Sequence, residues 1–245
     1  MKLMHLLKGT QASAVVLDWK TGRILAKSGP EREGHPGSAI KPLLLDYALK
    51  HQIVTAATTV YCRRQLHIGT RALPCSHPAD QTAFNAETAL AESCNTWFAE
   101  MARRFPPDAV EAALEESGIR HAHLRADDLE QRQLMVLGLS GVTVSPLELA
   151  QAYRRMFLHD PSDVVLRGLR DSVEYGMANQ ARVAHQTILG KTGTAAMEGS
   201  ANTQGWFAGA VPERFVIVVY VPNSNGAGAA QLAGKYVAQT ETAQP

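Results

Sequence analysis

Short β-like runs stand at the two ends of this chain, and the long stretch between them is patterned for helices. Near the start, apolar Ala14 to Leu17 and then Arg23 to Lys27 flank a polar turn at Asp18 to Gly22, which predicts a hairpin with a longer loop. Near the end, Thr187 to Ala195, Gly205 to Val211 and Phe215 to Val221 are three further β-like segments with turn residues between them, a spacing that suits antiparallel neighbours. Strands at both ends enclosing a helical middle predict one sheet assembled from both termini. The expected fold is therefore α/β: an antiparallel sheet built from both chain ends and flanked by helices, with a mostly helical subdomain in the middle. Residues 1–245 read as a single domain, with approximately 1–40 and 180–245 forming the sheet subdomain and 41–179 the helical one. A last helix is expected from Gly226-Ala227-Gly228 to Val237, weakened by its glycines.

The middle carries several helix-start signals. Ser145-Pro146-Leu147-Glu148 has an N-cap serine, a first-turn proline and a glutamate three residues after the cap. Leu149, Ala150, Tyr153, Met156 and Phe157 then predict its buried face. Pro106-Pro107-Asp108 with Glu111 reads as another start, with Gly118 as its end, and Ser162 or Asp163 opens a helix closing near Gly176. Ahead of them, Asn85 to Met101 has helical spacing, with Trp97 and Phe98 as core residues. Tyr61 to Gln81 shows no period and is expected to be irregular.

Chemistry is suggested first by Gly37-Ser38-Ala39-Ile40-Lys41-Pro42. Ser38 and Lys41 are three apart at the expected start of a helix continued by Leu43, Leu44 and Leu45, so they share a face. A serine there lies by unpaired backbone N–H groups and the positive end of the helix dipole, and Lys41 is the nearest group to take its proton. Two more stretches belong with it: Ser93-Cys94-Asn95, and Lys191-Thr192-Gly193-Thr194 after apolar Ile188-Leu189. Alternation along the last stretch sends Lys191 and Gly193 one way and Thr192 and Thr194 the other.

These three motifs in this order are those of serine β-lactamases and penicillin-binding proteins. From about Ala12 to about Val237 the chain resembles the transpeptidase domain of penicillin-binding proteins. The resemblance implies a D,D-transpeptidase or D,D-carboxypeptidase that acts on D-alanyl-D-alanine stem peptides in peptidoglycan synthesis and is acylated by β-lactams. It gives Ser38 the role of nucleophile, Lys41 that of general base, and Lys191 that of a cation that eases the loss of the Lys41 proton. Ser93 passes a proton to the leaving amine, and Asn95 holds the substrate amide and steadies Lys41. Thr192 and Thr194 bind the substrate carboxylate beside Gly193, and the backbone N–H groups of Ser38 and Thr194 form the oxyanion hole. Around the acyl centre, the Ser38 hydroxyl is expected within hydrogen-bond reach of the Lys41 amine, and the Lys191 to Thr194 strand at the cleft-facing edge of the sheet. Two rivals stay open: a serine β-lactamase, for which no glutamate motif of the class A kind is present, and a non-catalytic sensor of β-lactams or wall peptides.

The formal net charge of +1, from 24 basic and 23 acidic residues, offers no electrostatic case for nucleic acid or a membrane surface. No run approaches the roughly 18 apolar residues of a membrane span. The opening residues, broken by His5 and Lys8, are too short an apolar stretch for a signal peptide. An extracytoplasmic site, in the periplasm or on the outer face of the cytoplasmic membrane, is implied by resemblance alone, as is membership of a cell-wall synthesis complex. No cofactor is expected. Of the three cysteines, Cys94 lies inside the second motif, while Cys62 and Cys75 flank a loop in which the oxidising setting implied by the resemblance favours a disulfide. Zinc on Cys62, His67, Cys75 and His77 has the right residue types, but the spacing matches no finger pattern, so no metal is expected.

Overall fold

The computed structural model describes residues 2–197 and 199–241. Helix α1 (Lys2–Leu6) leads into β1 (Ser13–Asp18) and β2 (Ile24–Ser28), followed by α2 (Lys41–Lys50). An irregular stretch then carries four two-residue strands, β3 (Val60–Tyr61), β4 (His67–Ile68), β5 (Arg71–Ala72) and β6 (Ala83–Phe84). Six helices follow: α3 (Ala86–Ala91), α4 (Asn95–Arg104), α5 (Ala109–Glu116), α6 (Leu129–Val136), α7 (Pro146–Leu158) and α8 (Asp163–Glu174). The chain closes with β7 (Leu189–Ala196), β8 (Thr203–Val211), β9 (Phe215–Pro222) and α9 (Gly226–Glu241).

The five long strands form one antiparallel sheet in the order β2-β1-β9-β8-β7, so the N-terminal hairpin joins the C-terminal meander through β1 and β9, with Val15 opposite Val218. Successive side chains on a strand point to opposite faces, and here each face has its own core. Val15, Leu17, Val216, Val218 and Tyr220 join the helical side with Leu44, Tyr153 and Trp97. Ala14, Val16, Ile217 and Val219 join the other side, with Ala229, Ala233 and Val237 of α9 and Leu3 of α1. Both faces are covered, which is why β9 reads Phe-Val-Ile-Val-Val without polar alternation.

Local chemistry fixes the helix starts. The Ser145 hydroxyl accepts from the Glu148 N–H at 3.2 Å while the Glu148 carboxylate accepts from the Ser145 N–H at 2.8 Å, the reciprocal box expected from the sequence. Ser162 caps α8 on the Val164 N–H. At α5 the expected box does not form: the Glu111 carboxylate reaches forward instead and accepts from the Leu124 N–H at 2.6 Å. No described helix is long and apolar enough to cross a membrane.

Candidate active site

Gly37–Ile40 forms a 3-10 turn that runs directly into α2. Residues three apart in such a turn eclipse one another, so Ser38 and Lys41 share a face across the junction. The turn presses on β7 because two glycines allow it. Gly37 has φ +53°, and a Cβ there would meet the Thr194 carbonyl oxygen at 2.5 Å; a Cβ on Gly193 would overlap the Pro36 carbonyl oxygen and lie 2.9 Å from Ala39 N. Two hydrogen bonds pin the turn, from Gly37 N–H to Gly138 O at 2.9 Å and from the Tyr153 hydroxyl to Ala39 O at 2.6 Å.

Lys41 is fully buried, with its amine over the Phe98 ring at 4.7 Å. Its Nζ donates to Asn95 Oδ1 at 2.8 Å, to Ser93 O at 3.1 Å and to Ser93 Oγ at 3.4 Å. These contacts come from one tight corner. After α3, Ser93 takes the left-handed φ of +58°, and Asn95 opens α4 two residues later. The corner is an uncommon conformation for serine, and it aims a carbonyl, a hydroxyl and an amide oxygen at the same amine. All three acceptors are neutral, and among the described residues no carboxylate bonds this lysine. Burial without a counter-ion disfavours the ammonium and pushes Lys41 down to about 8, against a smaller upward pull from Cys94 and Cys75.

The expected hydrogen bond between Ser38 and Lys41 is absent among the described residues. A lysine ammonium has three donors, and here all three are taken by Ser93 and Asn95, so the amine reaches Ser38 only by giving up a partner or a proton.

β7 is an edge strand, as expected, and its alternation follows the sequence reading. Lys191 is fully buried and bonded to Thr192 O at 3.2 Å, and Gly193 abuts the 3-10 turn. Burial, and then the Lys41 charge, hold Lys191 well below the usual lysine range. Thr192 and Thr194 face the α9 side, where the Thr192 hydroxyl donates to Met177 O at 3.2 Å and the Thr194 oxygen accepts from Gly226 N–H at 2.9 Å. The Thr194 proton therefore remains available to a ligand, whereas that of Thr192 is engaged.

Ser38, Asn95 and Thr194 line one cleft of about 900 Å³. The sequence reading missed its other lining residues, among them His35, Arg71, Leu73, Leu137, Leu139 and Met197. They come from connections without periodicity, and only the convergence of three loops on β7 selects them.

Cys62 and Cys75 are buried free thiols with their sulfurs 3.5 Å apart, so the structure does not contain the expected disulfide. Both sulfurs turn instead toward His77 and Cys94. His67, exposed on β4, is not part of this group, and Cys94 of the second motif takes the place expected for His67.

A family model described as the penicillin binding protein transpeptidase domain matches residues 12–240. No curated protein sequence matches the chain. Among solved structures, it resembles the D,D-transpeptidase domain of a peptidoglycan glycosyltransferase from Eggerthella lenta, with TM-score 0.82 and 18% identity, covering 98% of this chain and 81% of that one. Pseudomonas aeruginosa PBP2 in complex with WCK 5153 gives 0.83 and 17%, covering 99% and 76%. A peptidoglycan glycosyltransferase from Burkholderia ambifaria gives 0.83 and 20%, covering 99% and 93%. With the three motifs in order, around one cleft and inside the matched span, the chain belongs to the penicillin-binding protein transpeptidase domain family.

Proposed function

We propose that this chain is an active-site-serine D,D-transpeptidase or D,D-carboxypeptidase acting on D-alanyl-D-alanine stem peptides of peptidoglycan outside the cytoplasm, and that β-lactams acylate it. The observation that carries this reading is the fully buried Lys41, held by neutral oxygens of Ser93 and Asn95 three residues from Ser38. Only a neutral amine can accept a proton, and this burial raises the neutral fraction of the amine above that of an exposed lysine.

In the proposed reaction Ser38 Oγ attacks the carbonyl of the penultimate D-alanine while its proton passes to Lys41. The backbone N–H groups of Ser38 and Thr194 stabilise the oxyanion. D-Alanine leaves with a proton relayed through Ser93, and an amine or water then releases the acyl group from Ser38. The Thr194 hydroxyl donates to the substrate's terminal carboxylate, and Lys191 supplies positive charge nearby when protonated. Edge strand β7 offers its free side for an extended peptide to pair along.

Among the described residues no carboxylate lines the cleft, which favours a long-lived acyl-enzyme over the rapid hydrolysis of a β-lactamase. The test is labelling with a fluorescent penicillin followed over hours. A stable adduct that is lost in Ser38→Ala supports the proposal. Rapid loss of label points to a β-lactamase, no label to an inactive binder of wall peptides, and an intact adduct on Ser38→Ala overturns the assignment of the nucleophile.

A further inference from the structure

The two-residue strands β3 to β6 make few ladder bonds, yet the loop they carry forms one wall of the cleft through Arg71, Ala72, Leu73 and Pro74. The buried group beneath it consists of Cys62, Cys75 and His77 from that loop and Cys94 from the corner between α3 and α4. Their four ligand atoms all lie within 4.8 Å of one another, and all four residues are buried. Cys62 Sγ is 3.5 Å from Cys75 Sγ and 3.3 Å from His77 Nε2. Four ligands around a tetrahedral zinc, with Zn–S near 2.3 Å, stand about 3.8 Å apart along the tetrahedron edge, so only small movements are needed to close such a site.

The surroundings match those of a metal site. His77 Nδ1 lies 3.0 Å from the Pro78 carbonyl oxygen, which can only accept, so the ring proton sits on Nδ1 and the Nε2 lone pair faces the sulfurs. The Arg64 backbone N–H donates to Cys62 Sγ at 3.3 Å, and the Thr96 hydroxyl lies 3.3 Å from the same sulfur. The Arg64 guanidinium holds the carbonyls of His77 and Pro78 at 2.9 and 3.0 Å, fixing the histidine's backbone. Such supporting bonds orient ligands and soften thiolate charge.

We propose that Cys62, Cys75, His77 and Cys94 bind one zinc ion in a closed tetrahedral Cys3His site that fastens the cleft loop to the corner holding Ser93 and Asn95. Three sulfurs and one imidazole select a soft, tetrahedral cation, and four protein ligands leave no position for a reacting water, so the ion is structural. Cys94 separates the two residues that hold the Lys41 amine, and Asn95 Nδ2 also reaches Pro74 O of the loop at 3.5 Å. The ion thereby ties the cleft wall to the lysine's partners, and its link to acylation rests on the function proposed above.

The test uses the full chain purified under reducing conditions without chelator, with zinc measured by plasma mass spectrometry. About one zinc per chain is expected. After chelation, Co2+ titration is expected to give thiolate-to-cobalt charge-transfer bands that Zn2+ abolishes. Cys62→Ser and Cys94→Ser are expected to weaken Co2+ binding beyond the roughly 10–100-fold that follows loss of a mere supporting group. Should those variants fail to fold, the wild-type titration still decides. Absence of both zinc and the charge-transfer bands overturns the site, as does peptide mapping that finds Cys62 and Cys75 joined in the zinc-supplied protein. Removing zinc is further expected to slow penicillin labelling of Ser38, with recovery on adding zinc back; unchanged labelling overturns the positioning role. Ser38→Ala is expected to bind zinc as the wild type does, which separates failure of the metal site from failure of the acylation reading.

Discussion

Replacing Gly193 by alanine tests whether contact between β7 and the Ser38 turn sets the reactive geometry. The added Cβ would lie 2.9 Å from Ala39 N and 3.0 Å from Ala39 Cβ, and would overlap the Pro36 carbonyl oxygen. Two of these neighbours are backbone atoms of the turn, so no side chain can swing aside. Relieving the overlap requires strand and turn to part by about 1 Å, and overpacking of this kind typically costs ~1–3 kcal/mol. At roughly 2–4 °C per kcal/mol for a chain of this size, Tm is expected to fall by about 2–12 °C. The functional loss is expected to be larger, because a shift of about 1 Å between reacting groups can cost on the order of 100-fold in rate. The assay pairs a thermal melt with the second-order rate of acylation by a fluorescent penicillin. Gly9→Ala serves as control: that glycine also has a positive φ, at +79°, but nothing within 4 Å, so it is expected to cost stability without changing acylation. An acylation rate for Gly193→Ala within twofold of wild type, in a protein that still folds, would refute the reasoning.

Acylation is expected to rise about tenfold per pH unit below pH 8 and to level off above it, because only neutral Lys41 accepts the proton and its folded pKa is about 8. Stopped-flow acylation across that range checks this, and a flat profile sinks the base assignment. The same shift affects stability with a definite sign. Between about 8 and the ordinary value of 10.5 the unfolded chain binds more protons at this lysine, so its contribution to stability rises with pH in that window. Below about 8 the full cost of burying the ammonium is felt, and denaturant melts at several pH values can follow the trend. Lys41→Ala is expected to slow acylation by roughly 10²–10⁴-fold, and an unchanged rate would mean that another group takes the proton. Ser145→Ala removes the cap on α7 and is expected to cost ~1 kcal/mol in a denaturant melt, with little change in acylation, since it acts only through the helix that carries Tyr153.

Much of the architecture could be read from local pattern. The capping box at Ser145 and the alternation of Lys191 to Thr194 each follow from chemistry within a few residues, and the structure keeps both. Helix α6 went unread because Arg132 and Gln133 are buried within it and blur its apolar period. Their head groups are satisfied by distant carbonyls, Arg132 on Phe105 O and Ala126 O and Gln133 on Ala99 O, which no local rule anticipates. The site shows the same division. Ser38, Lys41, Ser93 and Asn95 stood out as motifs, but the capture of all three Lys41 donors by Ser93 and Asn95 depends on a left-handed corner at a serine that sequence does not announce. Cys94 was visible only as the middle residue of a motif. Its meeting with Cys62, Cys75 and His77 is a product of folding and leaves no spacing signature.

The place of β1 between β2 and β9 also bears on how the chain must be made. Val15 finds its partner Val218 only after about 200 further residues have been synthesised, which at roughly 5–20 residues per second takes on the order of 10–40 s. In that interval β2 can close one side of β1, and the neighbouring contacts of the helical middle can form, while the other side of β1 stays open with unpaired N–H and C=O groups. Ser38 therefore waits for Thr194 and its strand, about 150 residues later, before the cleft can form. A ribosome that stalls before Phe215 leaves an open apolar strand edge exposed, so the same topology that joins the chain ends makes unfinished chains substrates for chaperones or for aggregation.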